Sequence, residues 1–338
     1  MRRLAFAMCF AVGLGCGHDG PSGPTGPDAA EFNGEKLTLS WGPVTVPAHV
    51  EGTQCVTLRL GNAAPVMVHQ LHNKLGDGSH HLIVYKDDHD TDEVTTPTNC
   101  NPFTGAANAT GMVAPMMITQ KKDDLLRLPV GVAYSLGANQ MIRIEQHYIN
   151  TTDAPIQATA TVEFDIAADG SVTDEADILF IGSPDIAIDG NGSQTLHEFF
   201  RPDIANLDLS TAKFFAITGH EHHYGTGVQV QVGESAQGPM TPVYDPKPFS
   251  WSEPETTRFD PPFTVPDGGG FDFTCSYQNT DSAPVGFGES ANDEMCFFWA
   301  YYYPSKGSHL CVHTNYMGLN VDICCPEAGS SLCDRLNG

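Results

Sequence analysis

The chain has 338 residues and a formal net charge of −25, from 16 Lys+Arg against 41 Asp+Glu. That charge excludes nucleic acid as a partner, because a phosphate backbone would repel it. Hydrophobic residues make up 41% and charged ones only 17%, with 34 Gly and 24 Pro, so there is enough apolar material for a core and a turn signal every few residues.

The N-terminal "MRRLAFAMCFAVGLGCG" carries two arginines, an apolar run too short to span a bilayer, and Gly15-Cys16. It reads as a secretory signal over 1–16. Cys16 stands where a bacterial lipoprotein receives its lipid, although Gly13 occupies a position where Leu is usual. The protein is therefore expected to be exported to the periplasm or cell surface. There it is held at the outer membrane through a lipid anchor, or is otherwise secreted. The following "GHDGPSGPTGPDAAEF" reads as a flexible tether, over 17–35.

From residue 36 onward short strands dominate. "EKLTLSW", "QCVTLRL", "HHLIVYK", "QMIRIEQHYIN" and "QATATVEFDIA" form a first series. The polar "ADGSVTDEAD" (168–177) interrupts them. A second series follows: "ILFIG", "KFFAITGHEHHYG", "GVQVQVG", "GFDFTCSYQN" and "EMCFFWAYYYP". No long helical period and no internal repeat is visible. The fold class is all-β: two tandem antiparallel β-sandwich domains, at 36–167 and 178–338, joined by a linker at 168–177. A Cys-rich tail closes the second.

Histidines cluster within these strands. His147 shares a strand face with Arg143 and Glu145, opposite Ile142 and Ile144, which on its own describes a solvated surface histidine. His80 and His81 are adjacent, so an ideal strand aims them at opposite faces. Both reach one metal only at a strand end or a bulge, or through different ring nitrogens. His220 and His222, at i and i+2, point the same way and make a two-imidazole clamp. His223 points away with Ile217 and Phe215. Met295 precedes an aromatic run, where a methionine ordinarily packs in a core. As a ligand its thioether would be soft and would select copper. The residues thus fall into two groups: His80, His81 and His147; His220, His222 and Met295.

Without the signal and Cys16, eight cysteines remain, an even number that suggests disulfides in an exported chain. There is no pair of CxxC motifs, which disfavours a zinc–thiolate site.

Four stretches in this order, "HHLIVYK", "EQHYIN", "GHEHHYG" and "DEMCFFWAYYYP", resemble the copper type II, ascorbate-dependent monooxygenases. That family includes the peptidylglycine α-hydroxylating and dopamine β-hydroxylating enzymes. The resemblance spans roughly residues 36–325 and implies two jelly-roll-like domains with one copper each, facing each other across an open, solvated cleft. His80, His81 and His147 then look like ligands of an electron-transfer copper. His220, His222 and Met295 look like ligands where O2 is activated. The cofactors implied are two copper ions and ascorbate or another one-electron reductant. One atom of O2 enters an unactivated C–H bond of a small-molecule or peptide-like substrate, and the other becomes water.

The resemblance also implies disulfides Cys55–Cys100 and Cys275–Cys296. Cys311, Cys324, Cys325 and Cys333 are then expected to form two bridges among themselves. Three pairings are open, and an adjacent Cys324–Cys325 bond is the disfavoured one. The usual upstream partner of Cys311, and some first-domain cysteines of the family, are missing. Peptide-amidating relatives carry an Arg two residues before the HxH pair, where this chain has Thr218. They place an Asn and a Tyr after the Met ligand, where it has Phe297 and Trp299. An aromatic, uncharged substrate wall follows, and with it an uncharged substrate. One alternative is a non-catalytic copper-binding or carrier lipoprotein on the same scaffold. A zinc hydrolase fits less well, since no metalloprotease Glu motif is present and Met295 would be unexplained.

Overall fold

The protein is described here by a computed structural model over residues 32–101, 113–288 and 290–325. The signal stretch, Cys16, residues 17–31 of the tether and Cys333 lie outside the described residues. Every regular element among those described is a β-strand. The polypeptide becomes a strand at Phe32, four residues before the expected start at 36. Lys36 to Trp41 then pair continuously with Ala160 to Asp165.

In the first half two sheets face each other. One orders the strands Phe32–Val46, Ile156–Ala167, Val66–Leu75, Val132–Leu136 and Asp174–Glu175, with Asp123–Arg127 also pairing to Val66–Leu75. The other orders Val94–Asn99, Glu51–Arg59, Met141–Ile149, Ser79–Asp87 and Val113–Thr119. Alternate residues of both, such as Leu71, Val162 and Phe164 on one and Val56, Leu82, Val84, Ile142 and Ile144 on the other, meet in one buried cluster. This is the packing of a β-sandwich.

The second half repeats the plan. A six-stranded sheet runs Thr256–Phe263, Lys213–His220, Phe297–Tyr303, Asp177–Gly182, His309–Tyr316 and Leu319–Cys325. A four-stranded sheet runs Ser193–Phe200, Gly270–Gln278, Gly225–Gly233 and Met240–Tyr244. Leu179, Ile217, Phe298 and Tyr302 of the first pack on Val228, Val230, Phe271 and Phe273 of the second. Among the described residues, no strand ladder joins the two halves. The stretch 168–177 is not wholly irregular: Asp174 and Glu175 pair in parallel with Val132 and Ala133.

The other face of the six-stranded sheet is what brings the halves together. Phe180, Phe215, Met295, Phe297, Trp299 and Tyr301 belong to the same apolar cluster as the first-half core. Each large side chain enclosed there contributes about 1.5–3 kcal/mol relative to exposure. Polar links add direction: Tyr301 Oη accepts the Ile118 N–H at 3.1 Å. The Arg258 guanidinium donates to the carbonyls of Leu125 and Arg127.

Three disulfides hold the described chain. Cys55–Cys100 staples an edge of the first half. Cys275–Cys296 ties the two sheets of the second half next to Met295. Cys311–Cys324 joins neighbouring strands, and Cys325 is itself disulfide-bonded.

A buried ion cluster braces the second half. His313 Nδ1 lies 2.7 Å from Asp322 and its Nε2 lies 3.0 Å from Glu198. Burial alone would lower its pKa, but the bonds to Asp322 and Glu198 outweigh it and push the imidazole up to about 9. A pKa raised by folding stabilises the fold fully below the unfolded value of 6.5, and the contribution is lost as pH rises through about 9. The urea midpoint should therefore fall between pH 6.5 and 9 in the wild type, and much less in His313→Gln. Equal slopes for the two proteins would contradict this role for His313.

Candidate metal centre

Adjacent histidines need an irregular backbone to act together, and the strand Ser79–Asp87 provides it. Its pairing with Met141–Ile149 shifts register between Ser79↔Tyr148 and His81↔His147. One extra residue, His80, is thus accommodated as a bulge. His80, His81 and His147 then converge, with candidate ligand atoms all within 4.8 Å of one another. This triad can hold a metal ion.

His147 is not on a solvated face. Its strand lies between Glu51–Arg59 and Ser79–Asp87, and Glu145 beside it is fully buried. Polar residues on a central strand are covered here rather than hydrated, which the alternation pattern cannot reveal.

The second group forms where the strand Lys213–His220 runs out. His222 lies beyond the strand end, in a turn closed by the Gly225 N–H to its carbonyl. Its ring still stands beside His220, with centroids 5.1 Å apart. Gly219 is required by close approach: a Cβ there would meet Val228 and Tyr244 side chains at 2.7 Å. Cross-strand pairing sets Phe297 opposite His220 and Trp299 opposite Thr218. Beyond the end of that ladder, the backbone N–H groups of His222 and Met295 both bond Glu294 Oε2, at 2.8 and 3.2 Å, and the Met295 side chain is buried. His223 is exposed, and its Nδ1 bonds the Ala291 carbonyl at 3.1 Å.

The two groups abut. Ring centroids of His80 and His222, and of His81 and His220, are 6.4 Å apart. All five rings are 7% exposed or less. The open, solvated cleft implied by the resemblance is therefore closed in this structure, because the apolar cluster described above draws the halves together.

Burial sets the charge state. It lowers His80 to about 3 and His222 to about 4, and lowers His81 and His220 well below the ordinary imidazole value. These rings are neutral at ordinary pH, as metal coordination requires. Hydrogen bonds set which nitrogen is free. His147 Nε2 donates to Glu51 Oε1 at 2.9 Å, His220 Nδ1 to Gln120 Oε1 at 3.0 Å, and His222 Nδ1 to the Asp293 carbonyl at 3.1 Å. The opposite nitrogens of His147 and His220, and Nε2 of His80, are buried without a hydrogen-bond partner among the described residues. Orphaned ring nitrogens of this kind fit a soft or borderline metal ion such as copper.

Sequence reasoning missed the residues that brace this cluster. Glu221, between the two clamp histidines, turns into the second half and accepts the N–H groups of Gly227 and Ser276. Burial, then the nearby Glu294, pushes its pKa up to about 9. Glu294 accepts the N–H groups of His222, Tyr224 and Met295 at 2.7–3.2 Å, and burial raises it to about 7. Trp251 lies over His80 at 5.8 Å. An acidic residue locked between metal-type residues, as in "GHEHH" and "DEMC", was the available signal for Glu221 and Glu294. Nothing local pointed to Gln120, Glu51 or Trp251.

The residues expected to touch substrate are enclosed. Thr218 bonds Thr256 Oγ1 at 2.9 Å, and Trp299 packs against Phe180 and His220 at 5.8 and 5.9 Å. Phe297 is also buried. A groove of about 350 Å³ lined by Asp203, Leu207 and Pro266 sits at the far end of the four-stranded sheet, away from the histidines.

Residues 174–320 match the family model for the copper type II ascorbate-dependent monooxygenase, C-terminal domain. The match covers the second group of residues and supports the family resemblance. No curated protein matches the chain. Among solved structures, the infectious bursal disease virus VP2 subviral particle is similar at 8% identity, over 90% of this chain and 78% of that one, with a TM-score of 0.20. The tandem CBM22 domains of Paenibacillus barcinonensis Xyn10C are similar at 8% identity, over 80% and 92%, with a TM-score of 0.16. Likenesses this slight carry no argument.

Glu294→Ala would strip acceptors from three amides around His222 and Met295. It should lower stability by about 3 kcal/mol in urea unfolding, and Glu294→Gln by less. An unchanged midpoint in Glu294→Ala would remove the carboxylate from the support of the second group.

Proposed function

We propose that the chain is an exported copper-dependent monooxygenase that hydroxylates a C–H bond of an uncharged substrate, using O2 and an external one-electron reductant. One observation carries this reading: a buried, converging triad of imidazoles with two further buried imidazoles beside it, four of the five held neutral by burial, in a chain whose residues 174–320 match the copper monooxygenase family model. His80, His81 and His147 would hold one copper ion, in a domain spanning 36–167. His220, His222 and Met295 would hold another, in a domain spanning 178–338. Copper, when bound, supplies one-electron chemistry with O2.

The protein's own residues do the rest. Gln120 holds the His220 ring by Nδ1, so that its Nε2 presents a lone pair. The thioether of Met295 favours copper in its reduced state over harder ions. The shared apolar cluster excludes water from around both groups. Substrate would meet Phe297 and Trp299, with Thr218 where peptide-amidating relatives carry a cation. The uncharged wall favours an apolar or aromatic molecule placed by burial. Since these side chains are enclosed, substrate contact requires the two halves to part. The leader would place the protein at the cell surface or in the periplasm, with a lipid on Cys16.

The enclosed cluster also supports a second reading, a copper-binding or carrier protein without turnover. Copper-dependent O2 consumption with ascorbate and added substrate separates the two.

Copper-reconstituted, dialysed protein should retain about two equivalents, in line with two separate donor sets. One equivalent, unaffected by His147→Ala, would remove the triad. Met295→Ile keeps apolar volume and loses only the thioether. It should leave the fold and the triad's copper intact and abolish O2 consumption, and near wild-type turnover would exclude Met295 as a ligand. Offered a glycine-extended peptide and a panel of neutral aromatic compounds, the protein should hydroxylate the latter. Efficient peptide hydroxylation that is indifferent to Trp299 would overturn the substrate class.

A further inference from the structure

Glu51 opens the strand Glu51–Arg59, and its carboxylate serves both halves of the molecule. Oε1 accepts His147 Nε2–H at 2.9 Å and the Ala291 N–H at 3.0 Å, while Oε2 accepts the Ser290 hydroxyl at 3.3 Å. His147 belongs to the triad. Ser290 and Ala291 begin the segment that leads to Met295. That same segment holds His222, through the Asp293 carbonyl at 3.1 Å and the Glu294 carboxylate at 2.8 Å to its backbone N–H. A path of hydrogen bonds therefore runs from the triad, through one carboxylate, to the second group.

We infer that Glu51 is a positioning residue that selects the metal-facing nitrogen of His147 and ties that selection to the placement of the 290–295 segment. The inference rests on the copper reading above. An ionised carboxylate only accepts, so the proton of His147 stays on Nε2 and the buried, unpartnered Nδ1 is left as the lone pair open to a metal. Without Glu51 the two tautomers become comparable and the ring loses its orienting partner. A carboxylate behind a metal-bound histidine is typically worth 10–100-fold in metal affinity. The Ser290 and Ala291 donors lose their acceptor in the same stroke, so Met295 and His222 lose one of the bonds that anchor their segment to the first half. The Glu51 side chain is 26% exposed, which lets the bonds be removed without opening a cavity.

The test uses the full chain with Glu51→Ala and Glu51→Gln, after circular dichroism has verified folding. In metal-free protein with 15N-labelled histidine, NMR should show His147 as the Nε2–H tautomer in the wild type and as a mixture in Glu51→Ala. Competition titration with Cu(II) should show a loss of about 10–100-fold at the triad in Glu51→Ala. Glu51→Gln should lose less, since an amide oxygen still accepts from His147. Copper–sulfur scattering in X-ray absorption of the Cu(I)-loaded protein, which reports Met295, should weaken in Glu51→Ala. A wild-type tautomer signal with wild-type triad affinity in both variants would overturn the positioning role. Lost triad affinity with unchanged sulfur scattering would overturn the tie to the segment. Wild-type protein that takes up no copper would overturn the functional reading itself, while the tautomer measurement, made without metal, still decides the role of Glu51.

Discussion

An imidazole taken out of water must either bond both ring nitrogens or offer one to a ligand, and five of them crowd a single dry junction. One nitrogen on each of His147, His220 and His222 is committed to a carboxylate, an amide or a backbone carbonyl. Burial removes the charge of His80, His81, His220 and His222 that would otherwise solve the problem by hydration. The rest of the structure serves that junction. A bulge turns His80 and His81 to one side, a glycine-framed turn carries His222 past the end of its strand, and the Cys275–Cys296 bridge anchors the chain next to Met295.

Two β-sandwiches with separate strand ladders would leave such a junction wet if they only touched at a rim. The sheet face bearing Phe180, Trp299 and Tyr301 is apolar, and it finishes its burial against the first half rather than within the second. The same surface that closes the core therefore closes over the two histidine groups. Gln120 and Glu51, both first-half residues, reach across to His220 and to Ala291, so the polar links sit beside the groups they orient. Closure and the orientation of the histidine rings are coupled by position alone.

Much of this was legible in the chain. Strands with strong alternation or aromatic runs, such as "HHLIVYK", "QATATVEFDIA" and "GFDFTCSYQN", stand where the pattern placed them. Val66–Leu75 was not legible, because His69, Gln70, His72 and Asn73 break its apolar pattern. In the fold it is a central strand, and its Asn73 finds Thr119 at 2.9 Å. The i, i+2 spacing of His220 and His222 and the turn before His80 were visible signals. The proximity of the two histidine groups was not, since it depends on which face of the second-half sheet turns to the first half. Alternation shows that Trp299 shares a face with Met295; it does not show what covers that face.

The most direct measurement is anomalous diffraction at the copper edge from crystals of the copper-loaded, full-length protein. Two anomalous peaks should appear, one among His80, His81 and His147 and one among His220, His222 and Met295. A single peak, or peaks confined to acidic surface residues with the five histidines unmetallated, would contradict the assignment of this junction as a copper centre.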